Sequence, residues 1–437
     1  MPAISRPIHG IADALLGDEP AASLPGWRDT TLVLAVALVL TFAGQAFVIP
    51  FLPLYLQQLG LRDAAEVRLW SGVLAAVGSA GFAVAAPLWG WLADRVGRKP
   101  MVLRAMGLGG LALAASAAVQ SPEQLMGVRL VLGLMSGPAT ASFALASVTV
   151  PLERLLRALG LLQIAVLLGQ TIGPLVGGVL GDAIGLRATQ VVGGGLTIGA
   201  ALLVLIFARE RFHRGPPSPG QGPVTPPAAR PVRTILRAPM FLAALGGSVA
   251  IDFAWSVMNA ALALWVQALS EAGRAVTLTG IIQGGFSLCA GLGALMTGWV
   301  ARHFDFKVVL IGALVGSGLL FVPQAFAPTV WVLLGLRMAQ GGLDGLALTS
   351  LNTLVGYAAP PEVRGTTYGV VASVAGAGAA VGPLVAGAAA AAFGLPVVFL
   401  LCTGVMGAGG VWVLARLRGG ALGAQGSGPM DRPQDVP

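Results

Sequence analysis

Long apolar stretches alternate with short polar segments over most of the chain. Twelve of these stretches are long enough to cross a bilayer, because a membrane helix needs about 20 apolar residues. We number them spans 1 to 12 and place them near residues 31–56, 69–92, 101–119, 124–147, 157–181, 188–208, 239–268, 277–300, 308–326, 329–354, 365–391 and 396–416. The pattern predicts an all-α membrane protein with twelve transmembrane helices.

The longest internal polar segment separates span 6 from span 7. It contains Pro216-Pro217-Ser218-Pro219 and Pro226-Pro227, a composition typical of a flexible linker. We therefore predict five regions: an N-terminal tail 1–29, a six-helix bundle 30–209, a linker 210–238, a second six-helix bundle 239–417 and a C-terminal tail 418–437.

The two predicted bundles repeat one another in sequence. Gly90-Trp91-Leu92-Ala93 is matched 208 residues later by Gly298-Trp299-Val300-Ala301, and Arg129 is matched by Arg337 at the same spacing. Gly173-Pro174-Leu175-Val176 is matched 209 residues later by Gly382-Pro383-Leu384-Val385. These repeats predict two pseudo-symmetric six-helix bundles, with a binding site between them.

Composition supports the membrane class. Of the 437 residues, 56% are hydrophobic and 10% are charged, and the mean hydropathy is +0.84. Soluble domains carry about 25% charged residues. The formal net charge of +8 would elsewhere suggest a nucleic-acid partner. Here the basic residues fall in short loops between apolar stretches, so we predict a lipid bilayer as partner and no nucleic acid.

The basic residues also predict the topology. With both termini on one side, the segments on that side hold 20 Lys and Arg residues and the opposite loops hold 4. Short cytoplasmic loops are enriched in Lys and Arg. We therefore predict that both termini lie in the cytoplasm and that the chain crosses the inner membrane.

The residue types that carry catalysis or bind metals form no recognisable group. The three histidines are scattered, Cys289 and Cys402 lie in apolar stretches, and neither Lys99 nor Lys307 follows a phosphate-binding glycine loop. We predict no enzyme activity, no cofactor, no metal and no ATP-driven transport.

The loop between spans 2 and 3 is densely charged for a chain with so few charged residues. Its notable residues are Gly90, Asp94, Arg95, Gly97, Arg98 and Lys99. Gly90 allows close helix approach, Asp94 can face a helix N-terminus, and Gly97 permits a turn before Pro100. A solvated basic loop that only fixes topology is the alternative interpretation.

The order of these residues resembles the signature that joins helices 2 and 3 of major facilitator superfamily transporters. The second copy is degraded, with Arg302 in place of Asp94 and Asp305 in place of Gly97. The resemblance therefore assigns a conformational, gating role to the first copy.

Span 5 contains a second motif built of small residues: Gly169, Gly173, Pro174, Gly177 and Gly178. Glycines four residues apart form a smooth groove for close helix packing, and generic packing is the alternative interpretation. The pattern resembles the antiporter motif of the same superfamily. The end of span 1, Pro50–Tyr55, resembles a signature of bacterial multidrug exporters.

The resemblance covers residues from about 31 to 416. It implies a proton-coupled exporter of small lipophilic compounds that works by alternating access, and we expect it to be a monomer. An exporter of a sugar, amino acid or other metabolite is the alternative on the same fold, and a non-transporting receptor is less favoured.

Four ionisable residues lie deep inside spans: Arg129, Asp252, Arg337 and Asp344. Each costs about 2.5–3.5 kcal/mol at a helix centre on insertion scales, so each is a candidate for function. We predict that they serve proton coupling, and the resemblance implicates Arg129 in proton transfer. Structural pairing of Arg337 with Asp344, or of Asp252 with Arg129 or with backbone, is the alternative.

Polar residues on the same spans are candidates for a substrate cavity. Arg129, Ser136 and Thr140 follow one helical stripe, and Asp252, Trp255 and Asn259 share one face. An acid beside an aromatic ring suits lipophilic cations. The predicted cavity residues are Gln45, Ser136, Thr140, Gln163, Trp255, Asn259, Gln283, Gln340 and Asn352. Interhelical hydrogen bonds are the alternative role for the amides.

Overall fold

The computed structural model describes residues 26–210, 237–270, 274–358 and 364–417, and these ranges are helical without strands. The twelve spans are Trp27–Ala46 continued by Leu52–Gln58, Ala64–Val96, Lys99–Ala115, Pro122–Met135 continued by Pro138–Thr149, Leu152–Ile184, Leu186–Phe207, Pro239–Leu269, Ala275–His303, Phe306–Ala325, Val330–Ala358, Arg364–Phe393 and Pro396–Leu417. The predicted fold class is confirmed. Most of the predicted linker and of both tails lies outside the described residues.

Eleven spans within the described ranges are long and apolar enough to cross a membrane by length and composition alone. The remaining one is span 10, Val330–Ala358, which contains Arg337 and Asp344. Polar side chains lower its hydropathy, and such a helix is stable in a bilayer when its polar face is covered by protein or water.

The helix packing repeats between the two halves. In the first half, span 1 packs on spans 5 and 6, span 2 on span 4, and span 3 on span 6. In the second half, span 7 packs on spans 11 and 12, span 8 on span 10, and span 9 on span 12. Each pairing has its counterpart six spans later, as the sequence repeat predicts.

Span 4 is broken in the middle. Pro138 has no N–H to donate to the Leu134 carbonyl, and Gly137 takes a φ of 105° between the two helical pieces. The predicted continuous stripe from Arg129 through Ser136 to Thr140 is therefore wrong, because the helical period does not continue across Gly137. The Gly-Pro dipeptide was the signal for the break.

Glycine allows spans 1 and 6 to pack backbone against backbone. A Cβ atom added to Gly193 would lie 2.5 Å from the carbonyl oxygen of Gly44, whereas one added to Gly195 would have nothing within 4 Å. A methyl group therefore fits at position 195 of span 6 and does not fit at position 193.

We predict that Gly193→Ala lowers the free energy of unfolding by about 1–3 kcal/mol relative to Gly195→Ala, because overpacking forces the helices apart. The gain in helix propensity is shared by both variants and cancels in the comparison. Denaturant titration in detergent micelles, followed by circular dichroism, measures the difference. Equal stability of the two variants would contradict the close packing described here.

Candidate functional site

The two halves meet where span 5 crosses span 8. A Cβ atom on Gly280 would collide with the carbonyl oxygen of Pro174 and would lie 3.2 Å from the Cα atom of Gly178. Gly178 in turn faces the backbone of Val276 and Thr277. The contact is between backbones, and only glycine at the crossing permits it.

Span 2 crosses span 11 in the same manner. A Cβ atom on Gly72 would collide with the carbonyl oxygen of Pro383 and would lie 3.4 Å from the Cα atom of Gly387. Gly72 precedes Gly280 by 208 residues, and Pro174 precedes Pro383 by 209. The repeated glycine–proline motif thus gives two equivalent crossings, at what we call the closed end of the bundle.

We call the opposite end the linker end, because it carries the loop 97–98 and the start of the linker. Toward this end the same four spans carry Gly90, Gly160, Gly298 and Gly376, and a Cβ atom at any of them would have nothing within 4 Å. The close helix approach predicted at Gly90 is not formed in this conformation. Among the described residues, the halves are joined tightly at the closed end, and these four glycines make no such backbone contact toward the linker end.

The remaining glycines of the span 5 motif pack on span 1. A Cβ atom on Gly169 would lie 2.7 Å from the carbonyl oxygen of Val39, and one on Gly173 would lie 2.8 Å from that of Ala43. Gly177 faces Phe47. One side of span 5 therefore packs within the first half, while Pro174 and Gly178 contact the second half.

The loop after span 2 joins spans 3 and 6. The backbone N–H groups of Arg98 and Lys99 each donate to a carboxylate oxygen of Glu210 at 2.8 Å. Lys99 Nζ donates to the carbonyl oxygens of Leu205 and Ala208 at 2.9 and 2.8 Å. Glu210 thus caps the N-terminus of span 3, and Lys99 caps the C-terminus of span 6. Anions are favoured at helix N-termini and cations at helix C-termini. Sequence analysis missed Glu210, which stands at the edge of the linker.

The other residues of the loop motif have distinct positions. Gly97 takes a φ of 100°, a conformation that glycine adopts without strain, and span 3 begins two residues later. The guanidinium of Arg95 lies 3.7 Å from the ring centroid of Trp91. The side chain of Asp94 lies outside the described part of the structure.

A polar network lies inside the second half around Arg337. Its Nη1 donates to Gln340 Oε1 at 2.9 Å, which also accepts from Gln324 Nε2 at 2.9 Å. The guanidinium lies 4.3 Å from the ring centroid of Phe286, and its Nε has no partner in the described chain. Arg337 and Gln340 are both 1% exposed, so this predicted coupling residue and predicted cavity residue are enclosed by protein.

Asp344 lies on the same helix and binds a different partner. Its Oδ1 accepts from Ser317 Oγ of span 9 at 2.5 Å. No direct ion pair joins Asp344 to Arg337 among the described residues, although the two residues lie seven positions apart on one face of span 10. The structure thus leaves one oxygen of Asp344 without a hydrogen bond to another described side chain.

Arg129 and Asp252 are not brought together. Arg129 is 9% exposed, and its Nε and Nη2 are buried without a partner among the described residues. Asp252 is partly buried and makes no hydrogen bond or ion pair with another described residue. Within the part of the chain that the structure describes, Asp252 therefore pairs neither with Arg129 nor with helix backbone.

The break in span 4 is held by two side chains that sequence analysis did not single out. Trp89 Nε1 donates to the Leu134 carbonyl at 2.6 Å, replacing the donor that Pro138 lacks. Arg104 Nη2 donates to the Ser136 carbonyl at 3.1 Å, and its guanidinium stacks 3.9 Å from the Trp89 ring centroid. Spans 2 and 3 thereby fix the helix that carries Arg129.

The predicted cavity residues fall into exposed and enclosed groups. Gln283 is 5% exposed and so is enclosed, like Gln340. Trp255 is 43% exposed on span 7, and Asn259 Nδ2 donates to the Trp255 carbonyl at 3.0 Å. The exposed or partly exposed positions are Gln45, Ser136, Thr140, Gln163, Trp255, Asn259 and Asn352. Two of the predicted groups of cavity residues contain a charged residue, one with Arg129 and one with Asp252. The charged residue is more exposed in the second group, which consists of Asp252, Trp255 and Asn259.

Known proteins resemble the chain over nearly its whole length. Two relatives are named Multidrug resistance protein MdtG: one from Citrobacter koseri, 32% identical over 87% of this chain and 93% of the relative, and one from Serratia proteamaculans, 32% identical over 87% and 92%.

Solved structures share the fold at low identity. A bacterial homologue of the human lysosomal transporter Spinster, in an inward-facing and unoccupied conformation, gives a TM-score of 0.72 with 16% identity, covering 90% of this chain and 96% of that one. The nucleoside transporter NupG gives a TM-score of 0.70 with 16% identity, covering 89% and 99%.

The sequence model of the Major Facilitator Superfamily matches residues 34–271 and 246–429, which contain eleven of the twelve spans whole and most of span 1. With the repeated six-helix halves and the two glycine crossings, this establishes that the chain belongs to the major facilitator superfamily.

Proposed function

We propose that the chain is a proton-coupled exporter of small lipophilic compounds in the cytoplasmic membrane. The observation that carries the proposal is the set of four ionisable residues in spans 4, 7 and 10 of a two-half bundle that is closed at one end. The names of the relatives at 32% identity support drugs as the substrate class. The protein acts as a monomer, without enzyme activity, cofactor or nucleic acid.

The contacts between the halves support alternating access. In this conformation they touch at Gly178–Gly280 and Gly72–Gly387, and these contacts must separate before the closed end can open. The excess of basic residues assigns the linker end to the cytoplasm. The structure then corresponds to an inward-facing state, which takes up substrate from the cytoplasm.

Proton entry down its gradient drives the export. The membrane potential supplies about 2.3 kcal/mol per charge per 100 mV. Asp344 is the carrier, because Ser317 holds one of its oxygens and Arg337 lies two turns away on the same face of span 10. Asp252 is the substrate-facing acid, because the exposed Trp255 lies one helical turn away. Arg129 helps an acid release its proton by electrostatic attraction to the carboxylate.

Topology gives the first test of this proposal. We expect cysteines introduced at Ser218 and Gln425 to resist membrane-impermeant thiol reagents in intact cells, in a background without Cys289 and Cys402. A cysteine at Arg62, in the closed-end loop, should react and serves as the control. Rapid labelling of Ser218→Cys and Gln425→Cys from outside would reverse the orientation.

Replacement of the two acids tests proton coupling. Asp344→Asn keeps shape and hydrogen bonding but cannot release a proton, so we expect at least a tenfold loss of pH-driven accumulation with downhill exchange retained. Asp252→Asn should weaken binding of cationic substrates instead. Proteoliposomes with an imposed pH gradient, screened with dyes, antibiotics and sugars, separate these steps.

Asp63→Asn is a matched control for both acids, because Asp63 caps span 2 at the surface and asparagine caps equally well. Full pH-driven accumulation in both acid variants would show that neither Asp252 nor Asp344 carries the proton. Accumulation of sugars and not of dyes would favour the metabolite exporter.

The charged loop gives a third test. Asp94 ends span 2 at the linker end, where a carboxylate facing a helix N-terminus of the other half stabilises closure by about 0.3–1 kcal/mol. We expect Asp94→Asn to favour the state that is open at the linker end and to slow export without unfolding the protein. Unchanged transport together with unchanged accessibility of linker-end cysteines would exclude this role.

A further inference from the structure

We propose that Asp182 and Arg68 are two latches that hold the closed end shut and set the balance between the inward- and outward-facing states. The proposal rests on alternating access as described above. It concerns residues that lie outside both glycine motifs and outside the buried charges.

Asp182 caps a helix of the opposite half. It lies near the end of span 5, and its Oδ2 accepts from the backbone N–H of Thr277 at 2.9 Å. Thr277 is the third residue of span 8, where backbone N–H groups have no partner within the helix. A carboxylate at this position is favoured by both the hydrogen bond and the helix dipole. Thr277 Oγ1 returns a hydrogen bond to the Gly178 carbonyl at 3.3 Å.

Arg68 makes the corresponding contact at the other crossing. It lies in the second turn of span 2, and its Nη1 donates to the carbonyl oxygen of Ala390 at 2.9 Å. Ala390 belongs to the last turn of span 11, where carbonyl groups point out of the helix and a positive charge is favoured. The carbonyl also accepts from Gly394 N, so Arg68 occupies its second acceptor site.

The two latches occupy equivalent places with opposite chemistry. Under the 209-residue repeat, Asp182 is equivalent to Ala391, the neighbour of Ala390 in sequence. Under the 208-residue repeat, Arg68 is equivalent to Val276, the neighbour of Thr277. At one crossing an anion from the end of span 5 accepts from the backbone N–H of Thr277. At the other a cation from the start of span 2 binds a carbonyl oxygen. The duplicated interface thus has one charged anchor at each crossing.

Both hydrogen bonds must break when the closed end opens, because each joins two spans that then separate. The amides of Gln57 and Gln267, which exchange two hydrogen bonds of 2.9 Å, also cross between the halves but carry no charge. Charged groups on helix ends form the stronger anchors. Removing either latch should therefore populate the outward-facing state without altering the buried charges.

Distances between spin labels test this directly. One pair at Ile184 and Phe393, exposed residues of opposite halves, reports the closed end, and one pair at Arg157 and Arg302 reports the linker end. Pulsed electron paramagnetic resonance in lipid nanodiscs, on protein without Cys289 and Cys402, gives the population of each state. We expect Asp182→Ala and Arg68→Ala each to raise the ratio of open to closed at the closed end about three- to tenfold.

Arg62→Ala and Glu66→Ala are matched controls, because they remove exposed charges of the same region that cross no interface in the described structure; they should leave the distances unchanged. Asp182→Asn keeps an acceptor oxygen and Arg68→Lys keeps a charged donor, so both should shift the ratio less than the alanine variants. They also keep the test valid if an alanine variant does not fold.

Unchanged closed-end distances in both alanine variants, with a shift in Asp94→Asn, would overturn the latches and leave alternating access intact. Distances that respond to no variant, to no substrate and to no pH change would instead contradict alternating access itself.

Discussion

Contact between bare backbones at the closed end is the constraint on which the rest of the structure depends. At Gly72 and Gly280 the opposing carbonyl groups of Pro383 and Pro174 stand where a Cβ atom would lie. Lipid tails are as apolar as the helix surfaces, so close packing and polar contacts join helices in a membrane more effectively than apolar burial. The crossings supply the packing, and the hydrogen bonds of Asp182 and Arg68 supply the polar contacts.

The halves share their geometry but not their buried polar groups. In the second half Gln340 holds Arg337 of its own span and Gln324 of span 9 by buried hydrogen bonds, and Asp344 accepts a partly buried one from Ser317 of span 9. In the first half the equivalent of Arg337 is Arg129, which lacks such partners in the described chain and lies just before a broken helix. An uncompensated buried charge is costly, so this half has the stronger need for an anion in some step of the cycle.

Hydrophobic pattern and repeats were sufficient to predict the twelve spans, their two halves and the recurrence of the glycine motif. They underestimated the helix lengths: span 2, predicted at 69–92, runs Ala64–Val96, because polar residues such as Asp63 cap the helix beyond the apolar stretch. The sequence could not reveal the partners of Glu210, Asp182 or Arg68, because each binds backbone groups of a distant helix. Every residue has a backbone carbonyl, and every residue except proline has a backbone N–H, so residue types do not show which ones are bound.

The glycine crossings and the two charged latches therefore have different roles. Glycine fixes how near two helices come, but a backbone contact of this kind has no charge and cannot respond to a ligand or an electric field. Charged side chains at helix ends add an energy that a single substitution changes and that ions screen. The crossings therefore define the geometry of the state that is shut at the closed end. On our proposal, the charged residues at their edges set how much that state is populated.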